Sequence, residues 1–237
     1  MSDWTMKRFW TETGVAEAEG GWTVTLDTRP IRTPAKAVFA VPTRAYAEAV
    51  AAEWEAQTET VKPETMPLTR SANAAIDKVA VQFDEVAGLI AAYGGTDLLC
   101  YRAEGPDALI ARQAQAWDPL LDWAETALGA RLYPTSGIVH RAQETAALAR
   151  LAGQVRAFTP FELAAFHDLV ALSGTLVIGF AAARQHAPPE SLWEVSRIDE
   201  EWQAEQWGED EEAAEQTAHK RQAFLDAARI FSLLNGD

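Results

Sequence analysis

Cysteine is almost missing from this sequence: one residue, Cys100, among 237. That excludes a disulfide framework and any zinc site built on several thiolates. It fits a reducing compartment, or no redox constraint at all. Positive charge is scarce as well. Twenty Lys and Arg stand against 35 Asp and Glu, a formal net charge of −15. Nucleic acid and anionic membrane surfaces are poor partners for such a chain, because both are gripped by clustered Lys and Arg. A basic protein partner suits it. Long apolar runs are missing too. The longest uncharged run, residues 169–183, falls short of the roughly 20 residues that cross a bilayer and reads as a buried helix, with no membrane insertion. The opening Met1-Ser2-Asp3-Trp4 shows neither the charged-then-apolar pattern of a secretory signal nor an Arg- and Ser-rich transit peptide. A cytoplasmic address in a bacterium is therefore expected.

Catalytic signatures are absent in turn. The chain has no Gly-x-x-x-x-Gly-Lys-Ser/Thr phosphate loop, no Gly-x-Gly-x-x-Gly, no Gly-x-Ser-x-Gly elbow and no His-Glu-x-x-His. Cys100, within Leu98-Leu99-Cys100-Tyr101, reads as a small buried hydrophobe. None of His140, His167, His186 and His219 stands at a diagnostic spacing to it. His167-Asp168 reads as structural or exposed, with a ligand or general base as the sharper alternative. His140 and Glu144 share a helix face at most, and two groups are too few for a specific metal site. No metal or cofactor is expected.

What is present is a globular composition, 48% hydrophobic and 23% charged. The length suffices to bury about 70% of the unfolded chain's surface. Residues 7–41 read as strands. Trp22, Val24 and Leu26 alternate with threonines and share one sheet face, between turn signals at Gly20-Gly21 and Asp27-Thr28-Arg29-Pro30. Lys7 to Trp10 and Val38 to Val41 are the expected neighbouring strands. A sheet this short needs helices packed on it.

From Thr43 the period turns helical. Tyr46, Val50 and Trp54 recur at i, i+4, i+8, and Ile76, Val79, Phe83, Val86 and Ile90 step onward as one amphipathic helix. Gly105-Pro106 opens the next. Pro119 is expected to divide it, with Asp118 as the new N-cap. Thr159-Pro160-Phe161-Glu162 has capping-box spacing and is expected to open an apolar helix as far as Arg184; Ser191-Leu192-Trp193-Glu194 has the same spacing. A last helix is expected from about Glu209 to Leu234, with Phe224, Ala228 and Phe231 on one side.

Negative charge is concentrated in one place. Eleven acids lie in residues 190–215: Glu190, Glu194, Asp199, Glu200, Glu201, Glu205, Glu209, Asp210, Glu211, Glu212 and Glu215, with Arg197 the single base among them. One reading is a solvated helix face. The other is an electrostatic docking face, whose self-repulsion a basic partner would relieve. Trp193, Trp202 and Trp207 fall in the same stretch. Trp202 continues the stripe Leu192, Val195, Ile198 and is expected in the core, while Trp207 beside a helix break is left open.

The motifs carry a resemblance over nearly the whole chain. Lys7-Arg8-Phe9, Gly20-Gly21-Trp22, Arg29-Pro30, Glu53-Trp54 with Gln57, Met66-Pro67-Leu68-Thr69, Thr96-Asp97 to Arg102, Gln113 to Trp117-Asp118-Pro119 and Gln206-Trp207-Gly208 occur in order. Together they resemble the ATP synthase assembly chaperones of the ATP-twelve type. The resemblance implies an α+β chain: a small N-terminal antiparallel β-rich domain with one helix, over 1–60, and a larger C-terminal α-helical domain, over 61–237. It implies a monomeric protein that is not an enzyme. Its partner would be the unassembled alpha subunit of the F-type catalytic head, kept from aggregating until a beta subunit takes over. The equivalent address in eukaryotic relatives is the mitochondrial matrix. Carried over by motif, the functionally important acid after Trp-Gly falls on Glu211, with Trp207, Gly208, Asp210 and Glu212 around it. Glu53-Trp54, Asp97 and Trp117-Asp118-Pro119 are the structural motifs, with a packing role for Trp54. Two alternatives stand beside this: a small-molecule enzyme with an interhelical site at His167, Asp168 and Cys100, or a stable structural subunit of a larger complex.

Overall fold

The computed structural model describes residues 6–208 and 210–236. Three strands come first: β1 (Thr13–Ala18), β2 (Gly21–Leu26) and the short β3 (Arg29–Pro30), antiparallel in the order β1-β2-β3. Register runs from Thr13 opposite Leu26 to Ala18 opposite Gly21. Ten helices follow among the described residues. They are α1 (Arg44–Glu55), α2 (Pro67–Ala74), α3 (Phe83–Ala91), α4 (Asp107–Leu128), α5 (Thr145–Arg156), α6 (Pro160–Ser173), α7 (Leu176–Ala183), α8 (Pro189–Ser196), α9 (Ile198–Trp207) and α10 (Glu211–Asn235). A parallel pair, β4 (Tyr101–Arg102) with β5 (Thr135–Ser136), flanks α4 in sequence. The fold is thus α+β, a small antiparallel sheet followed by helices.

Two compact units emerge. The first gathers the described residues up to Phe83, with Thr159–Ala165 and those from Arg229 on; the second comprises Asp84–Phe158 and Phe166–Ala228. In the first, Val24 and Leu26 of β2 are buried with Tyr46, Ala47 and Val50 of α1. Alternation on the strand therefore meets the i, i+4 stripe of the helix, which is how a half-polar sheet acquires a core. Thr43 caps α1, its hydroxyl accepting from the Tyr46 N–H at 3.1 Å. Neither expected neighbour of β2 is a full strand. Lys7 forms one isolated bridge, to Thr60, while Val38 bridges Arg32 and Val41 bridges Trp22; β1 takes the ladder instead.

Other local expectations also yield to packing. The stripe from Ile76 to Ile90 is not one helix: a π-helical turn, Ala75–Val79, ends α2 and a turn separates it from α3. Pro119 does not divide α4, which runs through it. Trp117, Leu120 and Leu121 are all buried around the proline, and their packing outweighs a lost hydrogen bond and ring clash worth about 3 kcal/mol. Asp118 caps nothing and pairs with Arg102 at 2.8 Å. The box at Thr159 is real: its N–H donates to Glu162 at 2.8 Å, and its hydroxyl accepts from the Glu162 N–H at 3.2 Å. The helix it opens stops at Ser173. Gly174 turns at φ +73°, and Thr175 caps a separate α7. The second box does not form, because α8 already starts at Pro189 behind Pro188.

Candidate functional site

Most residues that carry the sequence motifs hold the fold. Glu53 reaches from α1 to the start of α2 and accepts from the Leu68 and Thr69 N–H groups at 2.7 and 2.8 Å, and from the Thr69 hydroxyl at 2.6 Å. A carboxylate there satisfies orphan donors and complements the helix dipole. Trp54 beside it is half-buried and meets Trp10 edge-on, with ring centroids 5.4 Å apart. Gln57 closes the next loop, accepting from the Lys62 N–H at 2.8 Å and donating to the Thr65 hydroxyl at 3.1 Å.

Asp97 plays the same part in the helical unit. It accepts from the Leu99 N–H at 3.1 Å and from the Leu176 and Val177 N–H groups at 2.8 and 3.1 Å, thereby capping α7. Complete burial pushes its carboxyl up to about 6, against the pull of the Thr175 hydroxyl and the three amides. Trp117 is fully buried, donates to the Val195 carbonyl at 2.8 Å and lies under the Arg102 guanidinium, whose Nη2 holds Asp118. Gln113 accepts from the Ala103 N–H at 2.8 Å and donates to Asp199 at 2.6 Å.

That last contact begins to sort the acidic stretch. On α9, Asp199 is held by Gln113, while Glu201 and Glu205 share Arg112 at 3.1 and 2.8 Å. Desolvation and the like charges of Glu194 and Glu205 raise the Glu201 carboxyl, with Arg112 opposing. Glu200 pairs with Arg197. These four acids are engaged within the fold. At the end of α9 the surroundings change. Trp207 is 80% exposed. Gly208 then takes φ +94°, and Asp210 accepts from the Ala213 N–H at 2.9 Å as α10 begins. Glu211, Glu212 and Glu215 are exposed and make no ion pair among the described residues. Glu209 lies outside those residues. Trp202 is half-buried and Trp193 buried against Phe224, at 5.6 Å between centroids.

The residues of the enzymatic alternative fall elsewhere. Cys100 is buried, and desolvation beside Asp97 pushes its thiol up to about 12, away from the thiolate that nucleophilic chemistry uses. The His167 Nδ1 is 3.0 Å from Asp168 on the same exposed turn, and that hydrogen bond raises its pKa. A cavity of about 300 Å³ is lined by Asp118, Leu121, Asp122, Glu125, Arg131, Leu132, Tyr133 and Pro134. It includes none of those three residues.

The geometry thus leaves a surface with Trp207 exposed at the end of α9 and Glu211, Glu212 and Glu215 exposed on α10. Comparison with known proteins says what kind of protein bears it. The family model described as ATP12 chaperone protein matches residues 7–125. This chain belongs to the ATP12 chaperone family. Its solved relatives include Atp12 from Paracoccus denitrificans, 49% identical with a TM-score of 0.94 over 97% of this chain and 99% of that one. An aspartate-to-lysine mutant of the same protein matches equally, over 98% of its length. A putative chaperone from Agrobacterium tumefaciens is 42% identical, with a TM-score of 0.93 over 97% of this chain and 86% of that one. Over 221 residues the chain is also 24% identical to mitochondrial protein atp12 of Schizosaccharomyces pombe, covering 88% of this chain and 76% of that protein. ATP12 chaperones serve ATP synthase assembly. Among the described residues no helix is long and apolar enough to cross a membrane.

Within that family setting, the acid cap of α7 by Asp97 and the engagement of α9 by Arg112 were hidden from sequence. Their partners lie 79 and 93 positions away. The only local trace was Thr175, a cap residue after a glycine.

Proposed function

We propose that this chain binds the unassembled alpha subunit of the F-type ATP synthase head and shields it until a beta subunit takes its place. The α9–α10 junction is the docking face. Trp207 supplies a large apolar anchor, and Glu211, with Glu212 and Asp210, supplies the charge that selects a basic patch on the client. One observation carries this reading. Of the acids that can be followed from α9 into α10, those before the junction are engaged inside the fold, while Glu211 and Glu212 stand in solvent beside a tryptophan 80% exposed. An anchor with a charged rim gives affinity together with specificity against wrong clients, and an assembly chaperone needs both because it must later let go.

The test is co-expression with isolated alpha subunit, scored for soluble complex and for its dissolution when beta subunit is added. Capture by the wild type, its loss in Glu211→Lys and release by beta subunit are the expected results. A Glu211→Lys protein that captures alpha subunit as well as the wild type would remove Glu211 from the site. A complex that persists through assembly would mark a permanent subunit instead.

A further inference from the structure

The sheet of the first unit has one open edge. Strand β1 stands at the end of the order β1-β2-β3 and has β2 as its one neighbour. Which of its backbone groups face outward follows from β2. The Trp22 N–H and carbonyl both go to Val41, at 2.8 Å each, and the Val24 carbonyl accepts from the Ile31 N–H at 2.9 Å. Opposite residues of an antiparallel ladder turn toward or away from each other together. Glu17 and Val15 stand opposite Trp22 and Val24, so their N–H and C=O groups point away from β2. None of these groups has a hydrogen-bond partner among the described residues. Glu55 of α1 closes only the start of the edge, where it accepts from the Thr13 hydroxyl at 3.1 Å.

An unpaired edge is a template for another strand, and folds commonly guard it with lysine, proline or a bulge. β1 has none of the three. Its sequence, Thr-Gly-Val-Ala-Glu-Ala, pairs residue for residue with β2. Its one charged residue, Glu17, is exposed, and Glu12 and Glu19 on either side of the strand are exposed too. Residues 11–20 hold these glutamates and no Lys or Arg. Glu12, Glu17 and Glu19 make no ion pair among the described residues. Arg8 and Arg44, which approach this sheet, are already paired with Glu55 and Glu48. The edge therefore joins open hydrogen-bonding groups to uncompensated negative charge.

We propose that the β1 edge takes an extended, Lys- or Arg-bearing segment of the unassembled alpha subunit as a further strand. The proposal rests on the client assignment made above. Main-chain bonds to Val15 and Glu17 supply affinity, and Glu12, Glu17 and Glu19 select a basic segment. Charge decides between this occupant and a second copy of the chain. Pairing β1 antiparallel with itself would gather two sets of these glutamates along one ladder, where like charges facing each other destabilise. A basic client strand removes that repulsion. A segment held this way is also withheld from edge-to-edge pairing with other orphan subunits.

The experiment reads backbone amide hydrogen exchange at single-residue resolution in the chain alone and with purified alpha subunit, beside capture titrations of Glu17→Lys and Val15→Pro. The proline removes only an outward N–H, which edge strands tolerate. In the chain alone, Val15 and Glu17 are expected to exchange at least about tenfold faster than Gly14 and Ala16, whose N–H groups face β2. Alpha subunit is expected to slow Val15 and Glu17 by at least about tenfold while leaving Gly14 and Ala16 as they were. Each variant is expected to keep its melting temperature and to weaken capture by about three- to tenfold, with the Glu17→Lys effect fading at high salt. Capture with Val15 and Glu17 exchanging as in the chain alone overturns the proposal. So does protection of those two amides that grows with chaperone concentration in the absence of client, since a second copy would then hold the edge. Where Val15→Pro fails to fold, the wild-type amides and Glu17→Lys still decide. If Glu211→Lys loses capture while both edge variants keep it in full, the edge fails alone. If the wild type captures no alpha subunit, the client assignment fails and the edge proposal with it.

Discussion

Asp97 and Glu211 are carboxylates of the same helical unit in opposite surroundings. Asp97 is enclosed, holds three backbone N–H groups and joins the turn after Gly95 to the start of α7. Glu211 heads α10 in open solvent. Between these extremes stand Glu201 and Glu205 of α9, partly exposed and tied to Arg112. The contrast teaches that an acid's contribution is set by what it must satisfy. A buried carboxylate that caps two backbone segments is part of the fold, because removing it strands donors where water cannot reach. A solvated one adds little stability and is free to meet a partner.

The largest effect should come from Asp97→Ala. Stranded buried N–H groups cost roughly 1–3 kcal/mol each, so denaturant unfolding should show a loss of about 3–5 kcal/mol, with alpha-subunit capture per folded molecule unchanged. A variant as stable as the wild type would end the contrast. The second effect is a pH dependence. The folded Asp97 carboxyl lies at about 6, above its ordinary value of 3.8, so its contribution is fully present below about pH 4 and fades as pH rises through 6. Against Asp97→Asn, the wild type should lose on the order of 3 kcal/mol between pH 4 and pH 7. A flat difference across that range would show the carboxyl to be ionised throughout. Third, Arg112→Ala should cost about 0.5–1 kcal/mol, as partly exposed pairs do, measured by thermal unfolding at low and high salt. The smallest effect belongs to Glu211→Lys: stability within about 0.5 kcal/mol of wild type while capture fails. Should Glu211→Lys instead unfold the protein, the two carboxylates would be alike after all.

Local chemistry was legible in the sequence and distant chemistry was not. The box from Thr159 to Glu162 was readable because both participants lie within four residues. The α+β class was readable because the apolar period changes from two to about four at Thr43. Pro119 misled because a proline's helix-breaking tendency is weak beside the burial of Trp117, Leu120 and Leu121, which pattern alone cannot weigh. The break at Gly174 was masked by uniform hydrophobicity on both sides, and Asp97, which caps α7 together with Thr175, stands 79 positions before Leu176. The acidic stretch could be counted but not divided, since Arg112, which separates fold-bound from solvent-facing acids, belongs to α4.

Helix α10 has one bare end and one rooted end. Phe224, Ala228 and Phe231 are buried, whereas from Glu211 to Lys220 every residue but the half-buried Ala214 is exposed. Ten residues of isolated helix are marginal in water, so amide protons should exchange faster and faster from Phe224 back toward Glu211. Client engagement would then finish winding a spring whose other end is already clamped, and slowed exchange in that half-helix would be the earliest sign of a seated subunit.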